Sequence, residues 1–310
     1  TLAAEKNEKN AQYHLANIYS KGKYINRDIE KAIHYFTLAA NQNHIESQNN
    51  LAKIYYEGKY ISRDINKAIH YFKLSADQNN LESQIYIANI YFTGKYIKPN
   101  INNAIHYYTL AANQNFSEAQ YHLGLIYYHG KYVSRDINKA IYYFTLASKQ
   151  NHLDSLNYLG VIFSSGKYVK KYIIKGIKYF TIAANQNYSL SQYNLGKMYL
   201  KGEYFKKDIK KAIYLLTLSA NQNYVLAQYD LGYIYYTNEF KVHDIEKAIY
   251  YFSKAADQNF VNALFNLGVI YSDDKYIKKD INKGIYYLTL ASNLKCPMAQ
   301  YNLGIYYLNQ

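Results

Sequence analysis

Residues 119–154 read AQYHLGLIYYHGKYVSRDINKAIYYFTLASKQNHLD, and this pattern returns every 36 residues along the chain. Counterparts of Ala119-Gln120-Tyr121-His122-Leu123 begin at Ala11, Ser47, Ser83, Ser155, Ser191, Ala227, Ala263 and Ala299, with no insertion or deletion. Eight complete units follow, at 11–46, 47–82, 83–118, 119–154, 155–190, 191–226, 227–262 and 263–298. Residues 1–10 read as the end of a preceding unit, and 299–310 as a partial ninth. A period this strict means that each unit stacks on its neighbours, so one array over 1–310 without an internal domain boundary is expected. The sequence opens inside a second helix and closes after a first one, with no polar capping element, so a segment of a longer protein is expected.

Two helices are written into each unit. Ala119, Leu123, Ile126 and Gly130 recur at helical spacing and place an apolar stripe along the first. Ile137, Ala140, Ile141, Phe144, Ala147 and Ser148 do the same for the second. Gly22, Gly58, Gly94, Gly130, Gly166 and Gly202 stand where the first helix must end left-handed. Asn238 replaces that glycine cheaply and Asp274 less so. Asp28, Asp64, Asp136, Asp208, Asp244 and Asp280 are placed to cap the second helix, and Asn115-Phe116-Ser117-Glu118 has the spacing of a capping box. A further set, Gly124, Gly160, Gly196, Gly232, Gly268 and Gly304, lies inside the first helix, where Ala16, Ala52 and Ala88 stand in earlier units. Glycine there costs about 1 kcal/mol of helix propensity, so close approach of a neighbouring helix is expected.

Ala119 to Gly124 with Tyr127, Gly130, Asp136, Ala140, Tyr143-Phe144 and Ala147 resembles the Sel-1-like repeat (SLR) pattern, A-x-x-x-L-G-x-x-Y-x-x-G then D-x-x-x-A-x-x-W-Y-x-x-A-A. The likeness covers essentially the whole chain, and the 36-residue period sets it apart from the 34-residue tetratricopeptide class. It departs from the pattern at Tyr24, Tyr60, Tyr96, Tyr132, Tyr168 and Tyr204, where the family has a second loop glycine, and at Tyr143 and its counterparts, where it has tryptophan. Asn43, Asn79 and their equivalents replace the glycine between units. The expected fold class is all-α, a right-handed α–α superhelix (solenoid) of eight helix–turn–helix repeats plus partial end units. The resemblance implies an adaptor or scaffold, or, as in some protists, the targeting module of a larger enzyme such as a protein kinase.

The chain carries no catalytic signature. Its one cysteine, Cys296, excludes an internal disulfide framework and a cysteine-based zinc module. P-loop, HExxH and CxxC patterns are absent from the sequence, and Ser20…Lys23 and Ser164…Lys167 are S-x-x-K matches without their SDN and KTG companions. His34, His70 and His106 share one repeat position, so they stand about one helix pair apart, roughly 8–10 Å or more. A zinc ion needs nitrogens within about 2.1 Å, so a ladder of that pitch cannot share one. No enzyme activity, cofactor or metal is therefore expected. No apolar run approaches the roughly 18 residues of a membrane span, and no signal peptide is written at the start. The reading is a cytoplasmic protein without a transmembrane segment.

What remains is binding. Opposite the core stripe of the seventh unit (Ala227, Leu231, Ile234, Asn238), Tyr229, Tyr233 and Tyr236 are spaced i, i+4, i+7. The fourth unit offers Tyr121, Leu125 and Tyr128 there, the third Ile85, Asn89 and Phe92, and the same face takes in Tyr193 and Phe265. Tyrosine combines large contact area with a polar tip, so this face is the expected surface for a protein or peptide partner, with packing between units the competing role. The formal charge is +14, and Lys170, Lys171, Lys206, Lys207, Lys278 and Lys279 fall at or just after the loop between helices. Stacking would align them into an edge for acidic partners. Nucleic acid is the weaker alternative, since nucleic-acid binders usually interleave arginine and the chain has three.

Overall fold

The computed structural model describes residues 2–5, 7–22, 25–202, 206–237, 239–275 and 277–308. Lys23, Tyr24, Tyr204 and Asn238 lie outside the described residues. Among the described residues the chain is all-α, with eighteen helices and no strand. They cluster into two compact units, residues 1–155 and 156–310, with the division inside one helix.

The first unit holds α1 (Leu2–Glu5), α2 (Lys9–Lys21), α3 (Ile29–Ala40), α4 (Ile45–Glu57), α5 (Ile65–Ala76), α6 (Leu81–Thr93), α7 (Ile101–Asn113), α8 (Ser117–His129) and α9 (Ile137–Ser148). The division falls in α10 (Leu153–Ser165). The second unit continues with α11 (Ile173–Asn185), α12 (Ser189–Lys201), α13 (Ile209–Asn221), α14 (Val225–Tyr236) and α15 (Ile245–Ala256). It ends with α16 (Val261–Ser272), α17 (Ile281–Asn293) and α18 (Pro297–Leu308). In each unit the helices pack as successive antiparallel pairs, such as α8 with α9 and α14 with α15, and each pair packs on the next.

Local chemistry sets the boundaries. The carboxylates of Asp28, Asp64, Asp136, Asp208, Asp244 and Asp280 accept the amide three residues on at 2.9–3.0 Å, as an N-cap should. Asn100 caps α7 in the same way, whereas α11 starts at Tyr172 with no side-chain cap. The loop glycines Gly22 to Gly202 all sit at φ 62–66°, the left-handed end of the first helix. After α14 and α16 the chain leaves in extended conformation instead, at Thr237 and Asp273. Asp274 therefore does not take over the glycine's conformation; its carboxylate accepts the Lys279 amide at 2.9 Å.

Asparagine makes the opposite turn. Asn43, Asn79, Asn115, Asn151, Asn187, Asn223 and Asn259 all have φ between 58° and 66°, a region asparagine tolerates through its short polar side chain. The capping box expected at Asn115 does not form. The cap residue is Phe116, which has no side-chain cap bond, and Asn115 instead accepts from Gln120 and Gln150 at 3.3 and 3.2 Å.

In each unit the core is built from rings and small residues. Phe36, Phe72, Phe144, Phe180 and Phe252 are fully buried, with Tyr108 in the same repeat position. The in-helix glycines receive them: a Cβ on Gly124 would lie 2.5 Å from Phe144, and one on Gly160 or Gly232 2.6 Å from Phe180 or Phe252. These glycines are packing notches. Gly304 alone of that set has nothing within 4 Å of where its Cβ would be.

Candidate partner-binding face

In the first unit the proposed face is half-buried against its own second helices. The Tyr121 ring lies 6.1 Å from Phe144 and 4.6 Å from His152, and Tyr128 meets Phe144 edge-on at 6.4 Å. Phe92 meets Tyr108 edge-on at 6.1 Å and His122 at 5.9 Å, while Ile85 packs on the core around Phe72 and Ile87. Leu125 is half-buried and, with Phe92, His129 and Tyr132, lines a cavity of about 230 Å³. Glu118 bridges two imidazoles, at 3.6 Å from His122 and 3.0 Å from His152. Burial pushes the His122 pKa below its ordinary value, against the opposing pull of Glu118, and its Nδ1 is buried without a hydrogen-bond partner.

The second unit repeats this arrangement with other residues. Tyr229 lies 5.7 Å from Phe252 and 5.0 Å from Phe260, and burial raises its hydroxyl pKa. Tyr236 meets Phe252 edge-on at 6.2 Å, and Phe265 packs on the neighbouring core. Tyr193 sits 5.1 Å from Tyr224; burial and the Asp230 carboxylate both push its hydroxyl pKa far upward. Of Tyr229, Tyr233 and Tyr236, Tyr233 is the one that faces solvent, at 44% exposure. Side chains pointing away from one helix's core stripe thus meet the next helix of the stack, which the pattern of a single helix does not show.

Polar residues on this face also tie one repeat to the next. Asn49 and Lys53 both engage Glu82, Ser191 and Asn194 both donate to Asn157, and Lys197 pairs with Asp230 at 2.6 Å.

A further joint, one that spacing alone did not single out, recurs along the chain. Gln12, Gln48, Gln84, Gln120, Gln192 and Gln228 are at most 2% exposed. Each donates to the carbonyl eight residues earlier at 3.1–3.3 Å. Each also accepts from a glutamine thirty residues later at 2.8–2.9 Å. A buried amide is thereby satisfied on both sides, as its burial demands.

A family model described as the Sel1 repeat matches residues 9–44, 45–80, 81–116, 117–152, 153–188, 189–224, 225–260, 261–296 and 297–310. The chain belongs to the Sel1 repeat family. Among solved structures it is similar to a protective antigen of uropathogenic Escherichia coli described as displaying an SLR fold, with 26% identity and a TM-score of 0.80. That match covers 99% of this chain and 66% of the E. coli protein, so this chain spans under two thirds of that relative's length. It is also similar to a Sel1 repeat protein from Oxalobacter formigenes, at 24% identity and a TM-score of 0.87, over 97% of this chain and 87% of that one. No curated protein sequence matches the chain. Sel1 repeat proteins generally serve as protein–protein interaction modules.

In this Sel1 array the lysines divide into two sets. Lys31, Lys67, Lys139 and Lys247 each pair with their own N-cap aspartate at 2.8–3.7 Å. They also sit over the ring of Tyr19, Tyr55, Tyr127 or Tyr235, so they hold helix to helix. Lys170, Lys171, Lys206, Lys207, Lys278 and Lys279 are exposed. Lys207 covers Phe240 at 4.6 Å and Lys170 approaches Tyr172 at 5.9 Å. His34, His70 and His106 are exposed and each meets the tyrosine that follows it edge-on. Among the described residues no group of three or more His, Cys, Asp or Glu side chains is arranged to hold a metal ion, and no helix is long and apolar enough to cross a membrane.

Proposed function

We propose that this Sel1 array is a non-catalytic scaffold that binds a partner protein or peptide along the face of its first helices. The observation that carries this reading is a contrast within the repeat. Core positions recur almost unchanged, while the face positions change from Ile85, Asn89 and Phe92 to Tyr121, Leu125 and Tyr128 to Tyr229, Tyr233 and Tyr236. Half-buried rings set among polar groups supply contact area at low entropic cost, the usual character of interface anchors. The lysines around Lys170, Lys206 and Lys278 would add long-range attraction for an acidic partner and a salt-dependent association rate. The test is capture of a partner on the purified chain, followed by reconstitution with that partner in pure form. Leu125→Ser and Tyr233→Ser should weaken the complex while leaving the melting temperature nearly unmoved. Unchanged affinity in both variants would place the interface elsewhere.

A further inference from the structure

One position near the C-terminal end of the first helix differs in size from repeat to repeat. It holds Tyr56, Phe92, Tyr128 and Tyr236, whose rings stand edge-on over Phe72, Tyr108, Phe144 and Phe252 at 6.1–6.4 Å. Tyr56 and Phe92 also reach the first helix of the next repeat, at Tyr86 and His122. The same position is Ser20 in α2, where the second helix has Ala32, Leu200 in α12, and Ser164 and Ser272 in α10 and α16. Ser164 and Ser272 each face a glycine, Gly176 or Gly284, where six other repeats have alanine, and an added Cβ there would collide with the serine.

A cavity opens at Ser164 and another at Ser272. The one at Ser164 measures about 230 Å³ and is walled by Val161, Ile173, Phe180 and Met198. The one at Ser272 measures about 510 Å³ and is walled by Val269, Ile281, Leu288 and Tyr306. Residue for residue these walls are the same site, 108 positions apart, since Val161, Ile173, Phe180 and Met198 correspond to Val269, Ile281, Leu288 and Tyr306. The space between Phe180 and Asn194 is where other repeats place their own aromatic ring. An apolar cavity of roughly 150 Å³ suffices for benzene, so the smaller one admits a phenyl or phenol group.

We infer that the Ser164 cavity, and its counterpart at Ser272, accepts an aromatic side chain presented by an acidic partner polypeptide. This rests on the scaffold reading above and names the residue that the scaffold selects. The occupant is aromatic because a ring of the repeat itself fills that space in four repeats, at Tyr56, Phe92, Tyr128 and Tyr236. Its acidic setting follows from Lys197 and Lys201 at the rim and from the formal charge of +14, although Lys197 is already paired with Asp230.

The chain has two methionines, Met198 in the cavity wall and Met298 at 56% exposure outside it, which makes methyl NMR a direct test. With methionine methyls labelled in carbon-13, the acetylated, amidated tripeptide Glu-Phe-Glu should shift the Met198 signal saturably and leave Met298 still. Glu-Ala-Glu should shift neither. Ser164→Phe, which restores the ring of the other repeats, should abolish the Met198 shift without lowering the melting temperature. Should that variant fail to fold, Ser164→Leu, the residue found at Leu200, should give the same loss. No saturable shift, or one equally strong with Glu-Ala-Glu or with the filled variant, overturns the inference. A partner that binds wild type and Ser164→Phe/Ser272→Phe alike sinks the cavity and leaves the scaffold reading intact. A Met198 response in a chain that retains no partner does the reverse.

Discussion

The side-chain amide of Gln78 donates to the Oε1 of Gln48 at 2.8 Å across a repeat joint, and Gln48 in turn donates to the Ala40 carbonyl at 3.1 Å. Three groups from two repeats are thereby satisfied in one buried chain of hydrogen bonds. The chain itself shows two ways of losing it. Leu156 replaces the first glutamine and leaves Gln186 bonded only to its own helix at Ile182, whereas Leu264 is matched by Leu294, so both partners are apolar.

Gln48→Leu should therefore destabilise the chain by about 1–3 kcal/mol, because Gln78 loses its acceptor and Ala40 one of its donors. Gln48→Leu together with Gln78→Leu should recover part of that loss, following the Leu264–Leu294 precedent. Denaturant unfolding of the two singles and the double gives the coupling energy directly. Additive losses would mean that the two amides act independently.

The glycine notches predict opposite effects for one substitution at two places. Gly232→Ala puts a Cβ about 2.6 Å from the Phe252 ring and should cost about 1–3 kcal/mol by overpacking. Gly304→Ala meets nothing within 4 Å and should instead gain up to about 1 kcal/mol of helix propensity. Thermal melts of both variants decide it, and equal losses would show that the notch is not what sets the cost.

His122 predicts a pH dependence with a definite sign. Burial lowers its pKa below 6.5 in the folded chain, so below that pH the unfolded chain takes up the proton more readily. The stability contributed by the neutral ring is complete above pH 6.5 and is lost as the pH falls through the window beneath it. The groups facing the ring are Glu118, whose charge opposes the shift, His152, which adds to it, and the rings of Phe92, Tyr108 and Tyr121. His122→Asn, the residue at Asn50 and Asn194, should flatten the melting temperature between pH 7 and pH 5. His44, also lowered by burial, should leave a smaller slope. An unchanged profile in His122→Asn would assign the whole effect elsewhere.

Helix ends, caps and notches were legible because each is a local demand met by one residue type. Gly130 must turn left-handed, Asp136 must accept an amide, and Gly124 must make room for Phe144. The direction of the face residues was not legible, because it depends on where the next repeat sits. Tyr229 belongs to one helix pattern, but its ring is held by Phe260 across the joint. The glutamine joint did leave a trace in the sequence, a pair thirty residues apart whose members both vanish at Leu264 and Leu294. Asn115 misled for a related reason: its spacing to Glu118 fits a capping box, but the turn needs its backbone left-handed and its carbonyl oxygen for Gln150.

Tyr229, Tyr233 and Tyr236 of α14 separate into different roles. Tyr229 and Tyr236 both contact Phe252, and truncating either to serine strips part of the cover from a fully buried ring. Each should cost about 1–3 kcal/mol, less than the loss of a wholly buried aromatic residue. Tyr233 is 44% exposed and touches Tyr229 at 6.5 Å, so Tyr233→Ser should stay within about 0.5 kcal/mol of wild type. Partner affinity should follow the reverse order, with Tyr233→Ser the most damaging per unit of stability lost. Melting each variant and titrating it with the purified partner gives both quantities on one sample. A Tyr233→Ser variant that melts as early as Tyr229→Ser would show that all three rings serve the stack, leaving Leu125, at its cavity, as the proposed contact.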